Sequence, residues 1–163
     1  MSILYHGGVP GLKPGDMITP GHSRDDHHDD CPMCRARREQ GADAPEGTQH
    51  PDMVYCTTDR LEARLYASMY GKGDVYQVEP LGPLTPTTDE GDPEGCYRCV
   101  KLRVKRITDV RVTLTMKERR RLARKHPDPA NPLPRNATPE MLEKWWNRQH
   151  RQKPRNHRQK PRP

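Results

Sequence analysis

The stretch LYHGGVPGLKPGDMITPGH, residues 4–22, sets the start of the fold, because an extended segment runs directly into glycines and two Pro-Gly turns. Leu4 and Tyr5 are typical of a short strand, and the segments KPGD and TPGH each predict a tight turn. His6 stands between the strand and the pair Gly7 and Gly8, where the backbone can approach another group closely. We therefore interpret His6 as a candidate site residue.

The charge of the chain is distributed unevenly along it. Residues 117–163 carry 15 Lys and Arg against 4 Asp and Glu, whereas residues 1–116 carry 14 against 18. Apolar residues make up only 31% of the chain, which contains 18 prolines and no phenylalanine. These numbers predict one domain over 1–116 and a basic tail over 117–163. Such a tail either attracts nucleic acid or is a solvated segment that aids solubility.

The first residues of the chain and the number of cysteines indicate the cellular compartment that we expect for the protein. The segment MSILYHGG lacks the basic start and apolar core of an export signal, and no run approaches the ~18 apolar residues of a membrane span. We therefore expect a cytoplasmic protein that does not bind membranes. We also expect a monomer. Five cysteines in a reducing compartment argue against a disulfide framework, and four of them form two C-x2-C pairs, CPMC and CYRC.

Hydrophobic alternation predicts several short strands in the first domain. They fall on MVYCTT, on GDVYQVEP and on the run CYRCVKLRVKRITDVRVTL, where Arg106 interrupts the alternation as a bulge or a turn would. Residues 23–51 contain almost no apolar side chain and are interpreted as a long insertion loop. The fold class that we expect is α+β, with two small packed antiparallel sheets.

Three helices are predicted. The main one covers 58–70, and Thr58 or Asp59 caps it. In the tail, the capping box TMKE opens the basic helix KERRRLARK, and Thr138 with Pro139 opens a second short helix. The repeat HRQKPRN then HRQKPRP cannot bury a core, so the end of the tail is predicted to be disordered.

The motifs LYHGG, LKPGDMITPGH, MVYCTTD, DVYQVEPLGPL and GDPEGCYR occur in an order that resembles the rifampin ADP-ribosyltransferases of bacteria. These are small enzymes distantly related to the diphtheria-toxin type of ADP-ribosyltransferase. The resemblance covers about residues 3–112. It implies NAD as co-substrate, an NAD cleft, and transfer of ADP-ribose to an acceptor, which in the family is a rifamycin whose modification confers antibiotic resistance.

The resemblance also implies roles for particular residues. His6 corresponds to the family histidine that hydrogen-bonds the NAD ribose, and Tyr55 to the tyrosine that stacks on the nicotinamide ring. The expected catalytic residues are thus His6 and Tyr55 together with an acid. The expected NAD-binding residues are these two with their neighbours along the chain, which are Tyr5, Gly7, Gly8 and Thr57.

The acid is ambiguous, because the loop before GDPEGCYR is shorter than in the family. We favour Asp89, then Glu90, then Asp92. The chemistry independently suits a carboxylate, since cleavage of the nicotinamide glycosidic bond passes through an oxocarbenium-like state, as in glycoside hydrolysis. Histidine and tyrosine would orient the dinucleotide rather than transfer protons.

A zinc site is a separate possibility, since the insertion loop contains HHDDCPMC. Cys31 and Cys34 are the strongest candidate ligands, completed by His27 and His28 or by His22 or His50, and zinc would order a loop that lacks apolar side chains. Free thiols are the alternative. A site formed with Cys96 and Cys99 is disfavoured, because positions i and i+3 on a strand point to opposite faces. The inserted loop also leaves the acceptor open among a rifamycin, another small molecule and a macromolecule.

A second class of function remains open, namely a non-catalytic, zinc-stabilised protein that binds nucleic acid through its basic tail. Trp145 and Trp146 could stack on bases, but we favour docking of both on the protein's own surface. Dependence on NAD and dependence on salt distinguish the two functions.

Overall fold

The structure, a computed structural model, describes residues 2–20, 50, 52–69 and 72–150. The chain divides into two compact units between Leu114 and Thr115, two residues before the boundary predicted from charge. Most of the predicted insertion loop, and the end of the tail beyond residue 150, lie outside the described residues.

The described part of the first unit is built on one antiparallel sheet of seven strands in the order β2-β7-β4-β1-β3-β6-β5. Its strands are short and half buried, which explains the alternating pattern in the sequence. The strands are β1 Leu4–Gly8, β2 Met17–Ile18, β3 Val54–Thr57, β4 Asp74–Pro80, β5 Thr85–Pro86, β6 Cys96–Cys99 and β7 Leu102–Asp109.

The sheet has a weak point between β1 and β3. β1 pairs with β4 along its whole length, from Leu4 opposite Val78 to Gly8 opposite Asp74. Its register with β3 is a single pair, Tyr5 opposite Thr57. The α+β class is therefore confirmed, but the prediction of two sheets is wrong, because this one pair joins the two halves into a single sheet.

The long run predicted as one strand after residue 96 is two strands that belong to different halves of the sheet. β6 pairs with β3, whereas β7 pairs with β4 and β2. The chain crosses between them at Val100, whose side chain is exposed. Two register shifts within the pairing of β4 and β7 flank Arg106, where the sequence predicted an irregularity.

The main helix, α1, spans Arg60–Ser68 and packs on one face of the sheet. Asp59, one of the two caps considered from the sequence, is its N-cap and accepts a hydrogen bond from the backbone N–H of Leu61. Gly7 of β1 allows the helix to approach the sheet, because a Cβ atom there would collide with the backbone carbonyl of Ala63. The helix thus lies close to the strand that contains His6.

The opposite face of the sheet carries the hydrophobic core of the first unit. Tyr76 lies within it, and its hydroxyl donates to the carbonyl of Val9 at 2.6 Å and accepts from the backbone N–H of Leu12. Around it pack buried side chains from most of the strands and from the loop after β1, which are Leu4, Val9, Leu12, Ile18, Val54, Cys56, Val78, Cys99, Leu102 and Val104.

The described part of the second unit contains two helices, α2 at Met116–Lys125 and α3 at Pro139–Gln149. Thr115 and Thr138 cap them, as predicted, and each threonine hydroxyl accepts from a backbone N–H three residues further on. Across the described ranges, no helix combines the length and the apolar character that a membrane crossing needs.

Candidate functional site

His6 lies where β1 and β3 stop pairing. Its Nδ1 is 2.7 Å from the carbonyl oxygen of Tyr55, which can only accept, so Nδ1 carries the hydrogen. Burial lowers the pKa of His6 below its usual value, although the hydrogen bond to Tyr55 opposes this shift. The imidazole is therefore held neutral, which leaves Nε2 as a hydrogen-bond acceptor.

Gly8 determines the space that the His6 ring occupies. A Cβ atom on residue 8 would lie 2.8 Å from Nε2 of His6. His6 and Gly8 are two residues apart on one strand and share a face, so the ring leans over the glycine. The glycine is thus required for the orientation of the imidazole.

Tyr55 connects β3 to the acidic loop. Its hydroxyl donates to Oε1 of Glu90 at 2.7 Å and accepts from the backbone N–H of His50 at 3.3 Å. Desolvation, together with the bond to Glu90, raises the pKa of Tyr55 to about 12. The hydroxyl therefore remains protonated at neutral pH and acts as a donor to the carboxylate.

The acid that the structure joins to Tyr55 is Glu90, the second of the three carboxylates considered from the sequence. Thr88–Glu90 is a single 3-10 turn that ends at Gly91, whose φ is 87°. The Glu90 side chain is 6% exposed, while that of Asp89 is 63% exposed. Neighbouring residues of such a turn point in different directions, so only one of them can face Tyr55.

Arg98 of β6 holds both acids of this turn. Its guanidinium is 2.8 Å from Oε2 of Glu90 and 3.2 Å from Oδ1 of Asp89, and Arg98 lies directly opposite Tyr55 in the sheet. The hydrogen bond from Arg98 lowers the pKa of Asp89. Tyr55, Glu90 and Arg98 therefore form a connected polar network, which we call the Tyr55 network.

The other residues predicted to bind NAD include Tyr5, Gly7 and Thr57, which lie on β1 and β3 close to α1. Tyr5 is half buried on β1, opposite Thr57. Thr57 is buried, and its hydroxyl accepts from the backbone N–H of Asp59 at the start of α1. Gly7 faces α1 as described above. His6 and Tyr55 are joined by a hydrogen bond, whereas Thr57 and Gly7 position the helix.

Two residues of this region were not predicted from the sequence. Arg98 belongs to no local motif, although its place opposite Tyr55 is compatible with the alternation of β6. Tyr66 of α1 is half buried, and burial with the nearby charge of Asp92 raises its pKa. The i, i+4 spacing of Glu62 and Tyr66 could have indicated that both lie on one helix face.

The zinc prediction cannot be placed on the described residues, because Cys31, Cys34, His27 and His28 all lie outside them. Among the residues that are described, no group of three or more suitable side chains could hold a metal ion. The disfavoured four-thiolate alternative cannot be placed either, because it needs Cys31 and Cys34; of its described members, Cys96 donates to the hydroxyl of Thr57 and Cys99 donates to the carbonyl of Lys101.

Comparison with known proteins assigns no family. No protein-family model matches the chain, and no curated protein is significantly similar to it. Function is therefore inferred from the residues and their geometry.

Proposed function

We propose that this chain is an NAD-dependent ADP-ribosyltransferase whose site is formed by His6, Tyr55 and Glu90. The observation that carries the proposal is a pair of hydrogen bonds made by Tyr55 beside the junction between β1 and β3. Its backbone carbonyl accepts from the imidazole of His6, and its side-chain hydroxyl donates to the carboxylate of Glu90. His6 and Tyr55 are the residue types, in the chain order, that the resemblance to rifampin ADP-ribosyltransferases implies, and an acid follows them as in the family, although the family's acid is an aspartate and Glu90 is a glutamate. In this proposal Glu90 takes the role that the sequence favoured for Asp89.

His6 is suited to binding a ribose. Its Nδ1–H is occupied by the Tyr55 carbonyl, so a neutral ring offers Nε2 to a donor. A ribose hydroxyl is such a donor, and burial of the ring strengthens a hydrogen bond formed there. His6 would therefore bind and orient the sugar without changing its own protonation state.

Tyr55 and Tyr66 are suited to binding a flat aromatic ring of a ligand. They come from β3 and α1, and both side chains are half buried. An aromatic ligand such as nicotinamide gains from contact with one or both phenol rings. Because its hydroxyl is bound to Glu90, Tyr55 keeps a defined orientation.

Glu90 would supply the negative charge that the reaction needs. Loss of nicotinamide leaves positive charge on the ribose, and a fixed carboxylate stabilises that state more than the ground state. Tyr55 and Arg98 each bind one oxygen of Glu90, so the carboxylate is preorganised. Asp89, exposed to solvent on the same turn, would contribute much less.

The acceptor is a rifamycin or another nucleophile. Transfer to a rifamycin hydroxyl would make the protein an antibiotic-resistance enzyme, as in the family it resembles. Transfer to a different small molecule or to a macromolecule would use the same NAD chemistry with a different partner.

The test compares two isosteric substitutions on neighbouring residues. Nicotinamide release from NAD is measured for the wild-type protein, Glu90→Gln and Asp89→Asn, with and without rifampicin. We expect Glu90→Gln to lower turnover by about 10²-fold or more, because one preorganised charge is removed, and Asp89→Asn to remain within a few-fold of wild type.

The same assay identifies the acceptor and can refute the proposal. Release stimulated by rifampicin, with a product heavier by one ADP-ribose, supports a rifamycin acceptor. Release without stimulation supports the enzyme with another acceptor. Absence of turnover in the wild-type protein, with rifampicin and with cell lysate, would refute the enzymatic function and favour the binding protein considered from the sequence.

A further inference from the structure

One face of α2 carries a row of cations that the proposed enzymatic site does not use. Lys117, Arg121 and Arg124 follow the spacing i, i+4, i+7, which places them within about 60° of one another around the helix. All three are exposed, and none of them has a hydrogen bond or ion pair to another described residue. We call these three residues the basic stripe.

The other arginines near the start of α2 have contacts within the second unit. The guanidinium of Arg119 lies over the ring of Trp146, 5.6 Å from its centroid. Arg120 donates to the carbonyl of Ala137 at 2.8 Å. The helix thus uses two arginines for packing: Arg119 lies on the side of the helix opposite the stripe, and Arg120 borders the stripe.

The one acid on α2 is held at the start of the helix. Glu118 belongs to the capping box, and Thr115 at the N-cap donates to its carboxylate at 3.3 Å. The backbone N–H of Glu118 also donates to the hydroxyl of Thr115. The capping box therefore binds the only carboxylate that the helix itself contains.

The two tryptophans of this unit are buried, so they cannot stack on bases. Trp145 donates from its indole N–H to the carbonyl of Asn131 at 2.7 Å. Trp146 stacks on His150 with ring centroids 4.1 Å apart. Docking was the outcome favoured from the sequence, and it implies that any nucleic acid would be bound through its phosphates.

We propose that the basic stripe is a binding surface for the phosphate backbone of a nucleic acid duplex. The stripe is about 10 Å long, since Lys117 and Arg124 are seven residues apart on a helix. Measured along the axis of the duplex, that length corresponds to about three phosphates of one strand, at a rise of about 3.4 Å each. The cations contact phosphates, which carry no sequence information, so binding is independent of base sequence.

Two features favour a nucleic acid over a membrane or an acidic protein. The exposed face of α2 presents no aromatic ring that could enter a bilayer interface, and Met116 is its only exposed large apolar side chain. The sequence that follows α3, residues 151–163, adds six cations and no acid. A basic helix together with a polybasic segment is typical of backbone binding.

The test uses the full chain and a short fluorescein-labelled DNA duplex of mixed sequence, with binding followed by fluorescence anisotropy between about 50 and 200 mM salt. The variant Lys117→Gln/Arg121→Gln/Arg124→Gln keeps helix-forming side chains. We expect it to lose more than tenfold in affinity at low salt. The slope of log K against log salt should become shallower by about 2.7, or 0.9 for each lost contact.

A matched control removes the same charge from the first unit, through Lys13→Gln/Lys101→Gln/Lys105→Gln, all of which are exposed positions. We expect this control to bind nearly as well as wild type. An equal loss in both triple variants would mean that affinity follows net charge alone and would overturn the assignment to the stripe.

Two further outcomes would also overturn it. One is absence of wild-type binding to the duplex at about 50 mM salt. The other is displacement of the duplex by polyaspartate at the same concentration of charges as unlabelled DNA, since that would identify a surface for acidic polypeptides. NAD is not present in the assay, so its result is independent of the proposed enzymatic activity.

Discussion

Replacing Tyr55 by phenylalanine removes one atom from the centre of the Tyr55 network. The hydroxyl is the donor of a 2.7 Å hydrogen bond to a carboxylate whose side chain is only 6% exposed. Hydrogen bonds to charged groups contribute about 1.5–3 kcal/mol each. We therefore expect Tyr55→Phe to lower the free energy of unfolding of the first unit by that amount, and the midpoint temperature by roughly 6–13 °C.

The assay must report on the first unit, because both tryptophans lie in the second. Hydrogen exchange of the backbone amides of β3 measures the first unit directly. Tyr97→Phe is the matched control, since Tyr97 lies on the neighbouring strand and its hydroxyl has no hydrogen bond to a described residue. We expect a change below about 0.5 kcal/mol for the control.

A double-mutant cycle isolates the bond itself. Combined with Glu90→Ala, Tyr55→Phe should cost about 1.5–3 kcal/mol less than it does alone, because its partner is already absent. Equal protection of β3 in Tyr55→Phe and Tyr97→Phe, together with additivity in the cycle, would show that the hydrogen bond does not stabilise the sheet.

Three other predictions concern single positions. Burial lowers the pKa of His6 in the folded state, so the wild type loses stability as the pH falls from about 6.5 towards that lowered pKa. The variant His6→Asn has no such group, so its stability relative to the wild type should increase over the same pH range. Urea denaturation at several pH values measures the difference, and parallel curves would contradict it. Gly7→Ala should prevent folding or cost more than about 3 kcal/mol, since its Cβ meets the backbone of α1 and not a movable side chain. Circular dichroism during denaturation tests this, and a wild-type midpoint would count against it. Thr138→Ala should destabilise α3 by about 1 kcal/mol through loss of its cap. Tryptophan fluorescence during urea denaturation reports the loss, with Glu143→Gln at an exposed position of the same helix as the control, and equal midpoints for the two variants would exclude a role for the cap.

Several features of the fold could be predicted from the sequence because they depend on local chemistry. The caps at Thr115 and Thr138 were predicted correctly, and the cap at Asp59 was narrowed to Thr58 or Asp59, since a side-chain oxygen placed just before a helical pattern satisfies backbone N–H groups within a few residues. The α+β class followed from alternating strands and a short amphipathic helix. The break at Val100 was not predicted, because the alternation continues across it while the pairing partner changes from β3 to β4.

The residues of the candidate site likewise divide into those that local sequence motifs indicate and those that only tertiary contacts identify. The motif around His6 and the strand around Tyr55 were recognised from the order of short segments along the chain. The hydrogen bond between the two residues spans 49 positions and depends on where β1 and β3 stop pairing. Arg98 was missed for the same reason, since its importance comes from the strand opposite and not from its own neighbours.

Local sequence was sufficient for most strands and the helices, for the helix caps, for the uneven charge of the chain and for the candidate residues His6 and Tyr55. These features depend on side chains that are close together in the chain. Contacts between distant segments were needed to establish that one residue pair joins the two halves of the sheet, and that Glu90 rather than Asp89 bonds to Tyr55. Two adjacent carboxylates have nearly the same chemistry, and the direction of each is set by the turn that carries it and by the strand that it faces.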